Sequence, residues 1–296
     1  MNEYVIITDS SCDLPNSIVE EYNLYVEPLA VRVDDKEYKN YPDQRDITFE
    51  EFFKKVKEGA KVATSATNVY DYTSEMEPLL EAGKDILILS FDSAISNTYN
   101  ASRMATEEMQ EKYPDRKIIC IDTLCAALGQ GIIVYLAAQM KKEGKTIEEV
   151  AEFVEANKLR ITTWVTVDDL GYLKRGGRIS ATSEMIGSML KIKPIIVLND
   201  EGKLISHSKL RGRKLALKFI ADKLVEDLKN SDRKIFAIGH AECLDEAKEV
   251  EKMVREQFPD EELECIIEYV GPVIGAHIGP GALVGFAFGQ KREGNQ

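Results

Sequence analysis

Ile86-Leu87-Ile88-Leu89-Ser90-Phe91-Asp92-Ser93-Ala94-Ile95-Ser96-Asn97-Thr98 decides how this chain is read. A short aliphatic run ends in a hydroxyl-rich turn, and residues 96–113 then follow a helical period, so one strand feeds one helix. The same unit recurs on both sides. Residues 4–8, 25–33, 86–90 and 117–121 read as strands, and residues 17–22, 48–58, 68–82, 96–113 and 125–143 as helices among them. Strands separated by helices need crossover connections, which build a largely parallel sheet. The N-terminal half is expected to be a parallel-sheet α/β domain.

After a helix over 147–158 the order changes. Strands are expected over 162–167, 194–199, 203–209, 234–240 and 264–270, with a last buried strand over 282–288. Asn199-Asp200-Glu201-Gly202 reads as a hairpin turn, which makes its flanking strands antiparallel. Residues 179–190 place Met185, Ile186, Met189 and Leu190 at helical spacing, a pattern of core packing or of an adaptable apolar pocket. The second half is therefore expected to be a mixed α+β domain. A chain of 296 residues fits two domains of roughly 150 residues each. The expected boundaries are 1–158 and 159–296, with a ligand held between the two.

Hydrophobic content of 44% and charged content of 30% are those of a globular chain able to bury a core. A net charge of −13 repels nucleic acid and anionic membrane surfaces, so any anionic ligand must be caught locally. The cysteines Cys12, Cys120, Cys125, Cys243 and Cys265 are odd in number and form no Cys-x-x-Cys pair, which predicts neither a disulfide framework nor a zinc site. The start Met1-Asn2-Glu3-Tyr4-Val5-Ile6-Ile7 lacks the basic and long apolar regions of a signal peptide. A cytoplasmic protein is expected.

Residues 271–289 hold six of the 19 glycines, with Pro272, Pro280 and His277 among them. Glycine costs chain entropy unless the backbone needs a positive φ or another group must come close, so this density reads as a shaped loop presenting His277 to a ligand, with Gly279 beside it. The stretch is uncharged and long enough to suggest a membrane span. Its prolines and glycines would break such a helix, and no integral membrane segment is expected.

Three hydroxyl-rich turns follow apolar or strand-like runs: Thr8-Asp9-Ser10-Ser11, Thr64-Ser65-Ala66-Thr67, and Ser90 to Thr98 with Ser93 and Ser96. At the carboxyl ends of parallel strands such turns meet helix N-termini, where unpaired N–H groups and hydroxyls together hold a carboxylate or phosphate. Ser and Thr are also preferred helix caps, so one such turn alone reads as a cap. Asp9, Asp13 and Asp92 invite a metal or acid–base reading, but no neighbouring His or Cys completes a transition-metal set, and no metal is expected. A Ser/His/Asp triad from Ser93 or Ser96 with His277 lacks the Gly-x-Ser-x-Gly elbow of a hydrolase. His207 and His240 sit in strand-like surroundings and read as structural. Two basic clusters stand out in an acidic chain: Lys174-Arg175-Gly176-Gly177-Arg178, whose glycines allow close approach, and Lys209-Leu210-Arg211-Gly212-Arg213-Lys214.

Thr8-Asp9-Ser10-Ser11-Cys12-Asp13-Leu14-Pro15, Thr64-Ser65, Ser93-x-x-Ser96-x-Thr98-Tyr99, Leu173-Lys174-Arg175-Gly176-Gly177-Arg178-Ile179 and the Gly271 to Gly285 segment, in this order, resemble the DegV family of bacterial fatty-acid-binding proteins. The resemblance spans nearly the whole chain. It implies two α/β domains with a long-chain fatty acid buried between them, no other cofactor and no catalytic turnover. It also implies a partner fatty acid kinase that phosphorylates the bound carboxylate. By the same resemblance Thr64, Ser65, Ser93 and Ser96 hold the carboxylate with His277 and Gly279, Arg175 lies near the head group, and Lys209, Arg211 and Arg213 face the kinase. The sequence departs from the family pattern at Asp92, where a serine is usual, and at Asn97, where a glycine is usual. An alternative follows from the likeness of this fold to the substrate-binding half of dihydroxyacetone kinases, in which a histidine captures a small carbonyl compound. His277 is the candidate for that role.

Overall fold

A computed structural model of the chain describes residues 3–179 and 192–292. The helical spacing expected at Met185, Ile186, Met189 and Leu190 lies outside the described residues. The first half runs β1 (Tyr4–Asp9), a 3-10 turn (Ser10–Cys12), α1 (Asn16–Glu21), β2 (Tyr25–Glu27), β3 (Ala30–Val33), β4 (Lys36–Lys39), α2 (Phe49–Lys57), β5 (Val62–Ser65), α3 (Val69–Glu81), β6 (Asp85–Ser90), α4 (Thr98–Lys112), β7 (Ile118–Asp122), α5 (Leu128–Lys142) and α6 (Ile147–Asn157). The second runs β8 (Ile161–Thr166), α7 (Gly171–Arg175), β9 (Ile192–Leu198), β10 (Leu204–Arg211), α8 (Arg213–Lys229), β11 (Ile235–His240), α9 (Leu244–Arg255), β12 (Glu264–Tyr269), α10 (Pro272–Ile278) and β13 (Leu283–Phe288).

The expected parallel sheet is present, in the order β2-β1-β6-β7 with every pairing parallel. Its central strands β1 and β6 are buried along their whole length, which is why they read as aliphatic runs rather than as alternating patterns. The second half forms a six-stranded mixed sheet in the order β10-β9-β8-β13-β11-β12. Its β9–β10 pair is the expected antiparallel hairpin, and Asn199 Oδ1 closes the turn by accepting from the backbone N–H groups of Glu201 and Lys203. Helix α5 is buried along most of its length and packs against β8, β11 and β13 of this sheet and against the Ser10–Cys12 turn. One hydrophobic cluster consequently runs from β1 and β6 through α5 into β8 and β13.

Residues 25–33 do not form one strand. Pro28 interrupts the run, β2 pairs with β1, and β3 turns away into a small antiparallel sheet of order β4-β3-β5. Proline fixes φ and donates no hydrogen bond, so the ladder breaks there. Thr64 and Ser65 consequently sit on β5, opposite Val31 and Ala30, rather than in a turn.

The reading of residues 271–279 as a loop is corrected in the same way. They form the short helix α10, with Pro272 in its first turn and Asp13 Oδ1 accepting the Gly271 N–H at 3.0 Å. Proline breaks helix interiors, but in the first turn its missing N–H has no partner to lose. The helix docks on α2, whose Phe49, Phe52, Phe53 and Val56 form one buried stripe. Contact is close at Gly275, where a Cβ would lie 2.7 Å from Phe53 Cζ and 3.1 Å from Phe52 Cε1. Gly275→Ala is therefore expected to overpack this seam and cost about 1–3 kcal/mol, a fall of several degrees in Tm. An unchanged melting temperature would contradict this seating of α10.

Candidate functional site

Between the two large sheets lies a cavity of roughly 190 Å³. Val165 of β8, Ile196 and Leu198 of β9, Leu204 of β10, and Val284 and Phe286 of β13 form one wall. Leu29, Phe91, Ala126 and Ala127 close it from the first half, and Val273, Ile274 and Ile278 of α10 cover it. Strand alternation accounts for the wall on β8, where Thr163 and Val165 point into the cavity while Thr162 and Trp164 point away and donate to Asp227.

Polar groups gather where α10 meets β5. Thr64 Oγ1 and His277 Nε2 share a hydrogen bond of 2.8 Å. Arg178 lines the same region, its Nε donating to the Ile95 carbonyl at 3.0 Å and its Nη1 to the Gly176 carbonyl. Ser65, Ser96 and Asn97 add to the polar lining, as does Thr163 on β8. Burial, and secondarily the positive charge of Arg178, push the His277 pKa down to about 4, so the imidazole is neutral at neutral pH. Its Nδ1 has no hydrogen-bond partner among the described residues and faces Gly176, where a Cβ would lie 2.2 Å away. A neutral imidazole, three hydroxyls and one guanidinium form a set of donors suited to a single carboxylate.

The structure thus brings Thr64, Ser65, Ser96 and His277 together. It places Ser93 elsewhere: this residue is exposed, outside the lining, and its N–H donates to Asp122 Oδ1 at 3.3 Å. Arg175 also lies outside the cavity, over the Tyr172 ring at 4.5 Å. The basic residue that does reach the cavity is Arg178, carried back toward it by the turn after α7. Gly279 has a backbone role, ending α10 at φ 74 where a Cβ would strike the Tyr172 ring. A surface groove of about 520 Å³ bordered by Tyr172, Arg175 and Lys61 shares Thr64, Arg178 and His277 with the cavity. These three residues stand between buried apolar space and solvent.

The first hydroxyl turn serves the core instead. Thr8 donates to the Leu89 carbonyl, Ser10 accepts from the Leu29 N–H, and Asp9 accepts from the Phe91 and Ser11 N–H groups and from Gln130. On β10, Lys209 and Arg211 are exposed, while Arg213, at the start of α8, is paired with Glu246 and Asp168. His207 packs edge-on against Trp164 and His240 is buried against Tyr269. Among the described residues no group of His, Cys, Asp and Glu could hold a metal ion, and no helix is long and apolar enough to cross a membrane.

Asp92 is fully buried and points away from the cavity, toward Gly202 in the β9–β10 turn. Its Oδ1 accepts the Ala94 N–H at 2.9 Å, and its Oδ2 has no hydrogen-bond partner among the described residues. Burial raises its pKa to about 8, Asp122 adds to the rise, and the Ala94 N–H and Arg292 oppose it.

A profile described as "Uncharacterised protein, DegV family" matches residues 3–290. A DegV domain-containing protein of Clostridium perfringens is 42% identical over 293 residues, covering 99% of this chain and 100% of the relative. The crystal structure of DegV from Bacillus subtilis, described as a fatty acid binding protein, aligns with a TM-score of 0.84 at 27% identity, over 97% of this chain and 99% of that one. A stearic-acid-binding protein from Eubacterium ventriosum aligns with a TM-score of 0.83 at 26% identity, over 96% and 97% of the two chains.

The position of Asp92 sets a pH dependence. Its folded pKa is raised, so its protonated form is compatible with the fold, and stability is lost as pH rises from near 3.8 through about 8. Asp92→Asn keeps the acceptor for Ala94 and removes the buried charge. Thermal melts are expected to show a flatter pH profile for the variant and, at alkaline pH, a Tm above that of the unsubstituted protein by about 2–4 °C or more. Superimposable profiles would show that Asp92 carries no such penalty.

Proposed function

The chain belongs to the DegV family, and on that premise we propose that it binds a long-chain fatty acid in the cavity between its two halves. Thr64, Ser65, Ser96, Arg178 and His277 hold the carboxylate, and the tail lies against β8, β9, β13 and α10. The observation that carries this reading is that Thr64, Ser65, Ser96, Arg178 and His277 share one cavity whose described lining is otherwise mostly apolar. A carboxylate needs donors at one point, and an alkyl chain needs apolar surface along its length. Each buried methylene contributes about 0.8 kcal/mol, so ~14 of them supply on the order of 10 kcal/mol before the cost of immobilising the ligand. Fatty acid binding by the relatives from Bacillus subtilis and Eubacterium ventriosum supports the same reading.

The protein acts as a carrier without turnover of its own, and it presents the carboxylate to a fatty acid kinase. The groove shared by Thr64, Arg178 and His277 gives a kinase a route to the head group, and Lys209 and Arg211 offer it a basic exposed edge. A small polar carbonyl compound held by His277 would leave the apolar depth of the cavity without a purpose. The lipid reading uses all of it.

Displacement of a fluorescent fatty acid by oleate tests the assignment. Thr64→Val and Arg178→Gln are each expected to weaken oleate binding by about ten-fold or more, the effect of losing one hydrogen bond to a charged group. Ser93→Ala is expected to leave the affinity within about two-fold, since surface changes away from a contact have small effects. Equal losses in all three variants, or none, would overturn the placement of the carboxylate.

A further inference from the structure

Thr163 is at odds with its surroundings. It lies on β8, and its neighbours Thr162 and Trp164, on the opposite face of the strand, each have their polar atom satisfied by Asp227 at 2.7 and 2.9 Å. Thr163 Oγ1, on the cavity face, has no hydrogen-bond partner among the described residues, although the residue is only 8% exposed. At the next inward position the chain uses Val165, a residue of the same shape with no hydroxyl.

In the register of the sheet the hydroxyl also lies away from the end of β13 that follows α10. Thr163 pairs with Phe286, whereas β13 begins at Leu283, just after α10 and opposite Thr166. Three residues of strand separate the two rungs, about 10 Å at the usual rise. Thr163 shares the cavity lining with the apolar residues Val165, Phe286, Ala126 and Ala127. A water molecule bonded to this hydroxyl needs at least one further polar partner to be held there. A methylene chain filling this space would strip the hydroxyl of solvent and return nothing. A site holding an unpaired buried polar group discriminates strongly against the ligand that leaves it unpaired.

Taking the fatty-acid reading as its basis, we infer that the cavity prefers a fatty acid carrying an oxygen function, a hydroxyl or a ketone, part-way along its tail, with Thr163 Oγ1 as the hydrogen-bond partner. The carboxylate cluster fixes the head, and Thr163 reads a second point further along the tail. Specificity for an oxygenated chain then comes from one hydroxyl on one strand.

The test uses the delipidated full-length protein and a fluorescent fatty acid displaced by stearic acid or by hydroxystearic acids with the hydroxyl at successive mid-chain positions. At least one hydroxystearic acid is expected to bind about ten-fold more tightly than stearic acid, the worth of a recovered buried hydrogen bond. Thr163→Val is expected to abolish that preference by weakening the hydroxy acid and tightening stearic acid. Thr163→Ser, which keeps the hydroxyl, is expected to retain it. Tight binding of stearic acid with no preference for any hydroxy acid, or a preference that survives in Thr163→Val, would overturn the inference and leave fatty acid binding standing. Displacement by none of the acids would remove the fatty-acid reading and this inference with it.

Discussion

Everything at the site depends on the seating of α10 against α2. This helix follows a strand of the mixed sheet, yet it packs on the Phe52 and Phe53 rings of the first half and reaches β3 and β5. A hydrogen bond from the Gly271 N–H to Asp13 fixes one end of it, and His277 bonded to Thr64 fixes the other. The helix covers the cavity and supplies the central group of its polar end. Cavity and donor cluster therefore exist together or not at all, because the same contact makes both.

On the proposed reading, an acidic molecule must hold an anion. With a net charge of −13, long-range attraction works against a carboxylate, and only short-range donors in a protected site can hold it. Arg178 provides the charge, with its guanidinium anchored on the Ile95 and Gly176 carbonyls. His277 is kept neutral by burial, so the cluster gathers one formal cation rather than two. Asp92, the carboxyl nearest in sequence to the head-group loop, is turned under the β9–β10 hairpin, so it does not line the cavity. The departure from the usual serine at that position thus becomes a matter of stability at the hairpin.

Much of the architecture is legible in the sequence because each main strand is a short apolar run between turn residues. The buried runs of β1 and β6 and the Asn199–Gly202 turn are plain examples. What escapes is set by tertiary contact. Strand β5, with the pattern Val62-Ala63-Thr64-Ser65, has too little apolar character to be read alone and exists through its pairing with β3. Helix α10 carries a glycine and a proline between two capping glycines, and the Phe52 and Phe53 surface explains why it folds as a helix. At the site, Thr64 and His277 are recognisable by residue type. The choices between Ser93 and Ser96, and between Arg175 and Arg178, depend on which way a turn directs each side chain, and composition carries no such information. The usable signal is the Gly176-Gly177 pair, which lets the chain pass close to His277 and bring Arg178 to the cavity.

On the proposed reading, the cavity hides an acyl tail, and Thr64, Arg178 and His277, shared with the surface groove, leave the head group within reach of solvent. Native mass spectrometry of the protein freshly purified from bacterial cells, followed by solvent extraction, tests this most directly. The account predicts a one-to-one adduct with the mass of a long-chain fatty acid, held by the folded protein and released on denaturation. A protein that arrives free of lipid and stays free when oleate is added would contradict it.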